Sequence, residues 1–83
     1  MPMEHKRDIH GHVVYGDDDV KEGLNYLDYD LQTPEAEVFF KQAKLKGSAQ
    51  FEDDHERQFT LVFDRMKTAY RVERRAGGGG GWF

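Results

Sequence analysis

The chain has 83 residues, no cysteine, 37% hydrophobic and 34% charged side chains, and a formal net charge of −4. That length leaves room for one core, and six Phe, four Tyr and one Trp make it feasible, since each aromatic buries on the order of 150–250 Å². The missing cysteines exclude a disulfide framework, a thiol nucleophile and thiolate metal sites, so a reducing, cytoplasmic setting is expected. Met1 to Arg7 is polar with no apolar stretch behind it, which predicts neither a signal peptide nor a membrane span.

Residues 1–7 are expected to be a flexible lead-in to a single domain over residues 8–75. From Asp8 to Tyr15, Ile9, Gly11, Val13 and Tyr15 share one parity, and His10, His12 and Val14 the other, the period of a strand ended by Gly16. Asp17, Asp18 and Asp19 precede a helical spacing at Val20, Leu24, Leu27 and Leu31, with Asp19 and Glu22 placed for a capping box. Gly23 inside that helix costs roughly 1 kcal/mol relative to Ala, and either another part of the chain passes close by or the helix tolerates it.

Thr33 and Pro34 signal a second helix, running to Lys46, with Thr33 as cap, Ala36, Phe39, Phe40 and Ala43 on one face and a Glu37–Lys41 pair on another. Gly47 is expected to close it in the left-handed conformation. Beyond it, Ala49 and Phe51, then Phe59, Leu61 and Phe63, then Thr68, Tyr70 and Val72 alternate as three strands joined by polar turns. The links are too short for parallel crossovers. The expected architecture is a two-layer α+β sandwich of order βααβββ: a mainly antiparallel sheet with two helices on one face; the docking position of the first strand is left open, an edge beside the meander being one that would cover one of its faces.

Residues 76–83 include Gly77 to Gly81 and end in Trp82 and Phe83. Five glycines cannot hold an element together, so a flexible tether is expected, presenting the two aromatics as an anchor for a partner's pocket, or else the tail is an engineered remnant or incidental sequence. Its flexible character and terminal Phe resemble the tails of bacterial single-stranded-DNA-binding proteins, without that family's acidic run and Pro-Phe ending.

Charge is uneven: Arg65 to Arg75 holds five basic residues against Glu73, giving +4, and the remainder carries −8. Arg65, Lys67, Arg71, Arg74 and Arg75 suit phosphates, with Tyr70 available to stack on a base, which makes nucleic acid the alternative partner. The competing meaning is a charged strand edge that resists mispairing. His10 and His12 project to the same side of the expected strand and, completed by His5 or an acidic neighbour, are the candidate set for a metal-dependent hydrolase, and His55 lies among Asp53, Asp54 and Glu56, yet neither spacing justifies assigning a metal or cofactor. Tyr15 to Asp18 resembles the Tyr-Gly-Asp-Asp motif of viral RNA polymerases, a family excluded by length. The pattern therefore favours a non-enzymatic protein-binding module or adaptor that uses Trp82 and Phe83, a free strand edge or charge pairing, with self-association through the tail as a further route.

Overall fold

The computed structural model describes residues 4–75. β1 (His5–Ile9) and β2 (His12–Gly16) lead into a helical stretch over residues 18–30, of which α1 is Lys21–Asn25. α2 (Thr33–Lys46), β3 (Ser48–Glu52), β4 (Gln58–Asp64) and β5 (Ala69–Arg74) complete the order. The five strands form one sheet, β1-β2-β5-β4-β3, in which only the β2–β5 joint is parallel. Both helices lie on one face, so the α+β two-layer architecture is as expected.

The single first strand is in fact a hairpin. His10 and Gly11 have φ of 51° and 87°, the two positive angles of a tight two-residue turn whose twist suits paired strands. A two-residue loop pairs Ile9 with His12, so the helix-facing set changes from odd residues in β1 (Arg7, Ile9) to even residues in β2 (His12, Val14, Gly16), and Val13 and Tyr15 lie on the opposite face from Ile9, not on the shared face that one continuous strand implies. The extra strand takes residues 5–7 out of the expected flexible lead-in, puts β1 at the sheet's edge and leaves β2 beside β5.

Caps also shift by a residue or two. Asp17, rather than Asp19, starts the first helical stretch, accepting from the Asp19 N–H at 2.9 Å. That stretch ends in a π-turn over Tyr26–Asp30, where the Leu31 N–H reaches back to the Tyr26 carbonyl at 3.1 Å. Gln32, rather than Thr33, precedes α2, and its N–H donates to the Glu35 carboxylate at 2.9 Å. Gly47 caps the far end at φ 95°, as its position predicts.

The core lies between helices and sheet: Val14, Leu24, Leu27, Phe40, Phe59 and Leu61 are all at most 1% exposed. Gly23 has its reason here, since a Cβ on it would lie 3.0 Å from the Phe59 ring. Gly23→Ala is accordingly expected to destabilise the domain by about 1–2 kcal/mol in spite of alanine's better helix propensity. A raised melting temperature for this variant would contradict the close approach.

Candidate binding groove

At the sheet end that carries the His10–Gly11 turn, an open trough of about 410 Å³ runs between α2 and the strands. Its floor is aromatic because alternation puts Phe63 of β4 and Tyr70 of β5 on the helix side, where α2 brings Phe40 down onto them. The Phe40 and Tyr70 rings meet edge to face at 4.8 Å, and Phe63 lies 5.0 Å from Tyr70. His12 stacks on Phe40 at 4.2 Å and presents its edge to Tyr70 at 5.3 Å.

The polar groups around this floor are few and convergent. His12 Nε2 and Glu37 Oε2 are 2.6 Å apart, which ties β2 to α2 and engages the carboxylate. Glu37 therefore pairs with His12, not with Lys41 as the helical spacing suggests. Lys41 and Lys44 both line the trough, and among the described residues neither forms an ion pair. Burial, and after it the Glu37 carboxylate, push the Tyr70 phenol above its ordinary value, so the hydroxyl remains a donor at neutral pH.

His10 and His12 do not converge on a common point. His10 Nε2 lies 2.9 and 3.1 Å from the Leu27 and Leu31 carbonyls, which requires it to donate, and Nδ1 then accepts from the Thr33 hydroxyl at 2.9 Å. This imidazole staples the hairpin turn to the π-turn and the start of α2. His55 gives its backbone N–H to Asp53 at 3.0 Å within the β3–β4 turn. Among the described residues no group of three His, Cys, Asp or Glu side chains is placed to hold a metal.

The basic segment is dispersed. Arg71 bridges to Glu4 at 2.8 Å on the sheet face away from the helices. Arg74 reaches the helix side, donating to the Asp19 carbonyl at 2.9 Å with Glu22 at 3.8 Å, and Arg75 donates to Gln50 at 3.0 Å. Lys67 sits 4.9 Å above the Tyr15 ring, while Arg65 is exposed in the β4–β5 turn. Tyr70, the expected base-stacking ring, is only 5% exposed and belongs to the floor of the trough. The strand thus supplies neither a continuous row of free cations nor an outward ring.

Trp82 and Phe83 lie outside the described residues. Sequence inspection also passes over the trough, because its parts come from four elements. The available signals were Lys41 and Lys44 bordering an apolar helix face and a His placed in an apolar strand. Among the described residues no helix is long and apolar enough to cross a membrane. Comparison of the chain with protein-family models, with curated proteins and with solved structures gives no match.

Proposed function

We propose that this domain is a non-enzymatic protein-binding module whose trough receives an aromatic side chain flanked by carboxylates, presented by a segment of a partner protein. The observation that carries this reading is an aromatic floor of Phe40, Phe63 and Tyr70 beneath two lysines that have no acidic partner among the described residues. Such a site gains from burying an apolar ring and from placing anions beside fixed positive charge. The trough is only partly enclosed, which suits a side chain presented on a peptide better than a fully enclosed small molecule. His12 supports the same reading, since its contacts to Glu37, Phe40 and Tyr70 stiffen the wall and do not leave it poised over a reacting group.

Nucleic acid, the alternative, is less favoured by the geometry: Arg71 and Arg74 already face carboxylates of this chain, and Tyr70 is buried. In the adaptor reading, Trp82 and Phe83 are a second contact, offered to a pocket of the partner.

The test is the affinity of the tripeptide acetyl-Asp-Phe-Asp-amide, with acetyl-Lys-Phe-Lys-amide as control. The acidic peptide should bind the full chain and the basic one should not. Lys41→Ala with Lys44→Ala, both solvent-facing changes, should weaken binding about tenfold and lower its salt dependence. Equal affinity for the two peptides would overturn the reading. A chain ending at Ala76 separates the two contacts: its affinity is unchanged when Trp82 and Phe83 reach outward, and rises when they occupy the trough themselves.

A further inference from the structure

The outer edge of β3 carries an independent inference. The Phe63 N–H donates to the Gly47 carbonyl and the Asp53 N–H to the Arg57 carbonyl, both at 3.0 Å. Ladder bonds between antiparallel strands alternate, so Ala49 and Phe51 exchange theirs with β4, and the N–H and C=O groups of Ser48, Gln50 and Glu52 point away from the sheet. Among the described residues no strand pairs with that side. The other edge differs. By the same alternation, counted from the two-residue turn, the outward residues of β1 are Lys6 and Asp8, charges that discourage pairing. The outward residues of β3 are uncharged until Glu52.

The geometry points to a second copy of this chain as the occupant of the β3 edge, paired antiparallel about a two-fold axis at Gln50. In that register Gln50 faces its own counterpart and Ser48 faces Glu52 of the other copy, so no like charges meet. The two ends of the edge are complementary, with Lys46 before β3, Glu52 at its end and Asp54 after it, and only the antiparallel sense brings Lys46 of each copy towards Asp54 of the other. A parallel pairing would set like charge against like.

The helix layer fits the same axis. α2 packs over β3 and β4, so joining two β3 edges at a strand spacing of about 4.8 Å brings the two α2 helices to roughly 10 Å, the distance at which helices pack. Glu35, Phe39, Gln42 and Lys46 recur along the β3 side of α2, where Phe39 lies 5.9 Å from Phe51. Antiparallel helices would place Glu35 opposite Lys46 at both ends, with the half-buried Phe39 rings between them. The product is a continuous ten-stranded sheet with four helices on one face, and it leaves both troughs open because they lie on the far side of α2.

Sedimentation analysis of the full chain across a concentration series tests this. The intact protein should reach a dimer. Gln50→Pro removes a donor that β4 does not use, so it should give a monomer with an otherwise native amide spectrum. Lys46→Glu, at an exposed helix position, should weaken the dimer about tenfold through like charges across the axis, and remains informative if Gln50→Pro fails to fold. A chain that is monomeric at every concentration, or a folded Gln50→Pro variant that dimerises as tightly as the parent, would overturn the inference. Neither result bears on peptide affinity at the trough, so the two proposals fail separately.

Discussion

Phe59→Ala is expected to destabilise the domain by about 3–5 kcal/mol, a large share of the total stability of a chain this short. Phe59 is fully buried and touches three parts of the molecule at once. Its ring stacks on Phe51 of β3 at 5.4 Å, lies against the backbone of α1 at Gly23, and meets the Arg74 guanidinium of β5 at 5.7 Å. Losing the ring therefore removes apolar burial and also leaves a cavity that α1 cannot fill, because Gly23 has no side chain to move into it. Denaturant unfolding of the variant measures the loss, with the midpoint lowered at constant slope. A cost below about 1 kcal/mol would show that the helix layer does not depend on this contact.

The second large effect belongs to Asp53, which is 8% exposed. Its carboxylate accepts the His55 N–H at 3.0 Å, the Arg57 N–H at 2.9 Å and the Arg57 Nε at 2.7 Å, closing the β3–β4 turn in which Glu56 takes φ 63°. Asp53→Ala leaves those donors unsatisfied and is expected to cost about 2–4 kcal/mol at neutral pH. Burial by itself raises the pKa of this carboxyl, but the hydrogen bonds from Arg57 and His55, helped by the Arg57 charge, outweigh it and hold the group below its ordinary value. A lowered folded-state pKa means that the stabilisation is fully present above the unfolded-state value of about 3.9 and disappears as pH falls through the folded-state value. The stability gap between parent and variant should therefore shrink below about pH 4. A gap unchanged down to pH 2 would contradict the assignment.

Some of this architecture was open to sequence reasoning for identifiable reasons. Alternation at Phe59, Leu61 and Phe63, the Pro34 start and the Gly47 stop are local signals, and they specify the meander and α2. The hairpin at His10–Gly11 left two local hints, Gly11 and a change of buried parity from Ile9 to Val14, and both were masked because Val13 and Tyr15 continue the alternation of Ile9 on the outer face. The caps moved because Asp17 has two equally capable aspartates beside it, and because Thr33, the better cap by residue type, is diverted to His10 while Glu35 holds the Gln32 N–H.

The candidate site was hardly legible at all. The Glu37–Lys41 spacing is sound helix chemistry, but His12 from 25 residues upstream takes the carboxylate and leaves the lysine to solvent. Tyr70 alternates correctly in its strand. Only the packing of α2 decides that its ring lies in the floor of a trough rather than on an open face. Positive charge that looks continuous from Arg65 to Arg75 is divided by the pleat, which sends Arg71 to one face and Arg74 to the other.

The proposed recognition surface for an acidic, aromatic segment is the trough between α2 and the sheet. Amide chemical-shift mapping of the full chain during titration with acetyl-Asp-Phe-Asp-amide tests it most directly. Saturable shifts should concentrate at His12, Val13, Phe40, Lys41, Lys44, Thr68 and Tyr70, with β3 and the Asp53–Arg57 turn unmoved. Shifts absent at millimolar peptide, or centred on Arg65, Lys67 and Arg71 instead, would contradict it.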